Sequence, residues 1–327
     1  MRCNKSRLEG NIEGKSHAIR RARACAPVAR NTAKPAAPLV VLTATTVSAV
    51  ASTIPVTPRV STAEPLLRVR DVGVRFGGIV ALDGVSFDLM PRQLLGLIGP
   101  NGAGKTTLFS MIAGAIKPDS GKILLEGEDV TGLPTHKLFA KGLVRTFQIP
   151  HEFSRMTVRE NLMVVPPGQS GEKLAWALFA PGRIRAQEQD VRAKVDDVLD
   201  FLQITHVANE LAGNLSGGQK KLLELGRTMM TDAKMVLLDE PGAGVNRTLL
   251  GKLADAIQRL NKERGYTFCI IEHDMDLISR LCHPVVVMAS GSVLAQGTMD
   301  EIRRNEDVRE AYLGGHAARK LDKDAEK

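Results

Sequence analysis

The chain has 327 residues, of which 43% are hydrophobic and 4% aromatic. That is enough apolar material for a sizeable core, in one large domain with tails or in two domains, while the few aromatics exclude an extended base-stacking surface for single-stranded nucleic acid. The net charge of +8 loses its nucleic-acid meaning once it is located: ten basic residues against Glu9, Glu13 and Glu64 give residues 1–64 a charge of +7, leaving the body at +1.

Taken in chain order, residues 35–58 carry no charge, but their continuous aliphatic run is only Leu39–Leu42, against roughly 20 apolar residues for a membrane span. Residues 1–64 are expected to be a disordered basic extension, native or not, with a tail contacting an acidic surface as the alternative. Composition changes at Pro65. "LLRVRDVGVRF" and "VSFDLM" alternate apolar and polar residues as half-buried strands do, and Asp83-Gly84 between them reads as a turn. Leu94–Ile98 is a short apolar strand leading into a glycine-rich loop, followed by a helix from about Lys105 to Ala113. "GKILLEGEDV" returns to strand, and Thr135 opens a short helical stretch.

From about 149 to 214 the pattern becomes a mostly helical insertion, broken at Pro166-Pro167-Gly168. Val191, Val195, Val198, Leu199 and Leu202 share one helical face within it. Strand and helix then alternate again: Met235–Leu238 is a strand, Thr248–Arg264 a helix and "YTFCIIEH" a strand. "PVVVMASGSVLAQG" is a hairpin turning at Ser290-Gly291. The expected fold is α/β, with a mainly parallel central sheet, an antiparallel β-layer and the helical insertion. It occupies 65–315 and is followed by a charged tail over 316–327. Cys3, Cys25, Cys269 and Cys282 lack metal-ligand spacing and read as reduced thiols in a cytosolic protein.

The chemistry is concentrated in a few short segments. Gly99, Pro100, Asn101, Gly102, Ala103, Gly104, Lys105 and Thr106 fit the phosphate-loop pattern between a strand and a helix. Its glycines let backbone N–H groups turn toward phosphates, and the helix N-terminus adds positive potential. Lys105 would neutralise β- and γ-oxygens, Thr106 would ligate Mg²⁺, and Thr107 can donate to the α-phosphate. The apolar strand Met235–Leu238 ends in Asp239 and Glu240, where ligands bind in an open α/β sheet. Asp239 would hold Mg²⁺ through water, and Glu240 would orient the attacking water as general base.

Leu215, Ser216, Gly217, Gly218 and Gln219, placed 20 residues before Asp239, resemble the signature of the ABC ATPase family. The resemblance covers about residues 66–315. It implies that Ser216, Gly217, Gly218 and Gln219 grip the γ-phosphate of ATP bound to a partner subunit. It further implies that Gln148 in "RTFQ" senses the γ-phosphate and Mg²⁺, that His273 contacts the γ-phosphate and steadies Glu240, and that Phe76 stacks on adenine. Asn246 stands where the family's usual loop carries aspartate.

"RFGGIVAL", "MTVRENLMV", "PGAGVN", "IIEHDM" and "VREAYLGG" are most similar to the ATPase subunits of branched-chain amino-acid importers, which also tend to carry the asparagine. That resemblance implies a peripheral subunit on the cytoplasmic face of the inner membrane. Its implied partners are two transmembrane permeases, a second ATPase subunit (self or paralogue) and, indirectly, an extracytoplasmic substrate-binding protein, with no nucleic acid. A urea or amide importer subunit, or a lipopolysaccharide-export-like one, would look almost the same. A non-transport ABC protein is disfavoured, because the chain lacks both a long coiled coil and a second ATPase domain.

Overall fold

The computed structural model describes residues 64–146, 152–169, 171 and 181–312. The basic extension (save Glu64), Gln148 and the charged tail lie outside the described residues.

Strands β1 (Leu67–Phe76) and β2 (Ile79–Leu89) form an antiparallel pair. The chain turns between them at Gly77-Gly78, not at Asp83-Gly84. The expected Asp-Gly turn is instead a bulge inside β2, where Val72 pairs with Val85 but Val74 with Leu82. The left-handed Gly84, at φ 62°, serves an extra residue in one strand rather than a reversal of the chain. After β3 (Leu94–Ile98) and helix α1 (Lys105–Ile112), β4 (Ser120–Leu125) returns to pair with β1, and β5 (Glu128–Asp129) closes the edge. This gives the antiparallel layer, in the order β2-β1-β4-β5.

The second sheet takes β6 (Leu143–Arg145), β7 (Met235–Asp239), β8 (Thr267–Ile271), β9 (Val285–Ala289) and β10 (Ser292–Gly297) around β3. Its order is β10-β9-β3-β8-β7-β6. Every pairing in it is parallel except the β9–β10 hairpin. The central strands β7 and β8 are buried at every position and mostly apolar, because both faces are covered. Their two-residue period divides them between two cores. Met235, Leu237, Cys269 and Ile271 face the antiparallel layer together with Leu108, Phe109 and Ile112 of α1. Val236, Leu238, Phe268 and Ile270 face the helices on the other side.

Helix α2 (Thr135–Ala140) joins the first core through Leu138. The helices on the other side are α3 (Val158–Met163), α4 (Pro181–Phe201), α5 (Gly217–Met229), α6 (Arg247–Arg264), α7 (Met275–Leu281), α8 (Met299–Arg304) and a last helix α9 over 306–312. The expected stripe on α4 is present: Val195, Val198, Leu199 and Leu202 are buried, and Val191 packs at their margin. Burying each such side chain is worth about 1.5–3 kcal/mol. Thr157 opens α3 and Ser216 opens α5, each with a reciprocal capping box.

Candidate nucleotide site

The site lies where β3, β7 and β8 end. These strands are parallel neighbours, so their C-terminal ends share one edge of the sheet, as in other open α/β sheets. Beyond β3 the chain enters the loop at Gly99, whose φ is 149°. A Cβ there would lie 2.1 Å from the carbonyl oxygen of Met288 on β9. The loop closes at Gly104, in the left-handed region at φ 95°, where a Cβ would meet Leu82 Cδ2 at 2.6 Å and Ala81 O at 2.8 Å. Gly104 is also the N-cap of α1 and supplies no side-chain acceptor. The first-turn N–H groups of α1 are thus available to an anion.

Lys105 is buried and folds back along the loop, donating to Gly99 O at 2.7 Å and Pro100 O at 3.0 Å. Burial pulls its pKa below the usual lysine range, and the charges of Glu240 and Asp239 oppose that pull. A cavity of about 290 Å³ opens over the loop. Its lining consists of Asn101, Gly102, Ala103, Gly104, Lys105, Thr106 and Thr107 with Ile79, Val80, Ala81, Glu240 and His273. Residues distant in sequence, among them the expected loop, acid and histidine, therefore surround one space.

Phe76 is not part of that lining. It is 50% exposed and pairs with Ile79 across the β1–β2 ladder. The large apolar side chains at the cavity itself are Ile79 and Val80, both exposed. Ile79 went unremarked in the sequence because one β-branched residue in "RFGGIV" carries no chemical signal.

Glu240 follows β7 with φ 48°, a conformation that costs a non-glycine residue of order 1–3 kcal/mol and that clusters at functional sites. Its Oε1 lies 3.0 Å from His273 Nε2. Asp239 is buried and bonded to Arg145 at 2.9 Å, and Arg145 donates from its other terminal nitrogen to Ser110 on α1 at 3.0 Å. Arg145 is the first residue of "RTFQ", and an arginine three residues before a recognised glutamine was the available signal. Tyr312 on α9 was also missed. Burial pushes its phenol up to about 12, with the Gly99 amide close by opposing the shift.

The signature loop does not line this cavity. Ser216 caps α5: its hydroxyl accepts from the Gln219 amide, while Gln219 Oε1 accepts from the Ser216 amide at 2.9 Å and from its hydroxyl at 2.8 Å. Gly218 packs against α6, where a Cβ would lie 2.5 Å from Leu249 Cδ1. Asn246 caps α6, its side-chain oxygen accepting from the Leu249 amide at 2.9 Å. Aspartate can fill the same capping role, so the departure at this position leaves the local structure of the loop intact.

A phosphate cradle, a carboxylate pair and a histidine at the ends of three neighbouring parallel strands define a phosphate-loop nucleotide-binding cassette. Residues 82–243 match the family described as ABC transporter, and residues 292–318 match that described as branched-chain amino acid ATP-binding cassette transporter. The chain is 40% identical over 250 residues to the high-affinity branched-chain amino acid transport ATP-binding protein BraF of Pseudomonas aeruginosa, an alignment covering 76% of this chain and 98% of that one. It is 40% identical over 249 residues to the probable branched-chain amino acid transport ATP-binding protein LivG of Archaeoglobus fulgidus, covering 76% and 95%. The crystal structure of a nucleotide-free ATP-binding cassette from an ABC transporter superposes with a TM-score of 0.66 at 36% identity, covering 76% of this chain and 99% of that one. The chain belongs to the ABC transporter ATP-binding family, whose members bind and hydrolyse ATP to power transport. Among the described residues no helix is long and apolar enough to cross a membrane.

Proposed function

We propose that this chain is the ATPase subunit of an importer for branched-chain amino acids or related small polar solutes, attached to the cytoplasmic face of the membrane. The observation that carries the reading is the match of residues 292–318 to the branched-chain transporter description, because the phosphate site is shared by ABC ATPases of many cargoes.

In this reading Lys105 and the amides of Gly102 to Thr107 hold the β- and γ-phosphates, and Thr107 donates to the α-phosphate. Ile79 and Val80 form the apolar side of the cavity against which the base rests, extended by Phe76, which pairs with Ile79 outside the lining. Thr106 and Asp239 supply the oxygen ligands expected for Mg²⁺, with Gln148 as a further ligand. Among the described residues no group of three or more His, Cys, Asp or Glu side chains forms a metal cage. That suits a cation that relies on one or two protein oxygens plus substrate phosphates. When bound, the ion neutralises charge on the β- and γ-oxygens. Glu240 orients the attacking water and takes its proton, and the bond from the γ-phosphorus to its bridging oxygen breaks to leave ADP and phosphate. His273 holds Glu240 and meets the γ-phosphate.

The signature residues Ser216 to Gln219 lie away from this cavity and act on the nucleotide of a second ATPase subunit. Two chains then close around two ATP molecules, and free energy enters as the preference of ATP for the closed pair. Two membrane permeases dock at the groove lined by Phe139, Val144, Val165 and Arg227. Phe139 in that groove is exposed, and an extracytoplasmic binding protein delivers solute to the permeases.

The test is uptake of labelled leucine, isoleucine and valine, alongside urea and short amides, by cells lacking this gene. Selective loss of branched-chain uptake is expected. Loss confined to urea or amides, or no change in any of them, would overturn the cargo while leaving the ATPase in place.

A further inference from the structure

Glu272 has no part in the chemistry described above, yet it is a carboxylate only 5% exposed. It directly follows β8. Its Oε1 accepts from the Gly242 amide, and its Oε2 accepts from the His273 amide at 2.9 Å and, more weakly, from the Asp274 amide at 3.5 Å. One carboxylate thus joins two loops that are 30 residues apart in sequence.

Those loops hold the reacting groups. Gly242 stands two residues after Glu240, and the Ala243 amide donates to Glu240 O at 3.1 Å. On the other side, His273 is the next residue after Glu272. A Cβ on Gly242 would lie 2.6 Å from Glu272 Oε1, although φ at Gly242 is not in the left-handed region. Glycine there provides room for the carboxylate rather than a special backbone angle. An ionised carboxylate makes hydrogen bonds about twice as strong as a neutral acceptor does. It also accepts at both oxygens at once, which a carboxamide cannot. Glu272 does not line the nucleotide cavity.

We propose that Glu272 is a positioning residue for hydrolysis: by binding the amides of Gly242 and His273 together, its carboxylate holds Glu240 and His273 within hydrogen-bond reach of each other. The proposal rests on the hydrolytic reading of Glu240 and His273. Loss of this brace leaves the phosphate cradle untouched, so it acts on turnover and not on nucleotide affinity. An error of about 1 Å in such a contact costs as much as a hundredfold in rate.

The experiment is steady-state ATP hydrolysis by the full chain as wild type, Glu272→Gln, His273→Ala and the double variant, with thermal midpoints recorded for each. Glu272→Gln is expected to lower kcat about tenfold while KM stays within twofold. In the His273→Ala background the same change is expected to cost less than twofold, because the Glu240–His273 contact it holds is gone. Wild-type kcat in Glu272→Gln would overturn the proposal, as would equal fold losses in both backgrounds. If Glu272→Gln does not fold, Gly242→Ala takes its place, since it keeps Glu272 but displaces Oε1. A kcat loss at constant KM is expected there too, and unchanged turnover would overturn the proposal. Absence of hydrolysis by the wild-type chain would instead remove the hydrolytic reading, and the proposal with it.

Discussion

The loop at 99–106 and the loop at 215–219 both open a helix on glycines, but the glycines serve different ends. Gly99 and Gly104 have φ values of 149° and 95°, so the first loop needs backbone angles that other residues adopt at a cost. Its helix has no side-chain cap, and that leaves first-turn amides for a ligand. Gly217 and Gly218 are not in the left-handed region; Gly218 is small because α6 presses on it, and Ser216 with Gln219 already caps the helix. The first loop has the build of an anion cradle. The second is a capped helix start, which under the proposed function becomes a phosphate contact only when another chain presents the phosphate.

Several substitutions would break or sharpen that contrast. The largest effect is expected from Glu240→Gln, which keeps ATP binding but loses general-base chemistry, a fall in kcat of about 10²–10⁴. With its nucleotide uncleaved this variant should accumulate as an ATP-bound dimer by light scattering, bringing the two loops together across chains. Wild-type turnover would remove Glu240 from the role.

Next comes Lys105→Ala. Losing a charged hydrogen-bond donor to phosphate costs about 1.5–3 kcal/mol, or some ten- to hundredfold in Kd by calorimetry. Unchanged affinity would mean that the first loop is not the cradle. Ser216→Ala, by contrast, should leave monomer affinity for ATP unaltered.

The smallest effect falls on stability. Gly218→Ala forces a methyl group against Leu249, and such overpacking costs about 1–3 kcal/mol, a lowering of Tm by several degrees in a domain of this size. ATP binding to the monomer should be unaffected. A variant as stable as wild type would show that Gly218 is kept for the partner's phosphate and not for packing against α6.

The sheet assignments show which signals were local. The central strands, the phosphate loop and the α4 stripe were legible because each depends on residues within a few positions of one another. Asp83-Gly84 was misread for the same reason. A left-handed dipeptide fits a turn and a bulge equally well, and only the pairing of β1 with β2 selects between them. Gln148 and the basic extension lie outside the described residues, so the role expected of Gln148 stands on the resemblance alone and the reading of the extension on its composition and charge.

Asp239 and Glu240 were singled out from the residues themselves because a carboxylate after an apolar strand has few places to go except the ligand edge of the sheet, whereas His273 was singled out by the resemblance. Their supports were not. Arg145 reaches Asp239 across 94 residues, and Glu272 reaches Gly242 across 30; no periodicity connects such pairs. Local chemistry, spacing and resemblance singled out the candidate reacting groups. Chain folding chose what holds them, because hydrogen bonds between distant segments depend on which strand ends become neighbours.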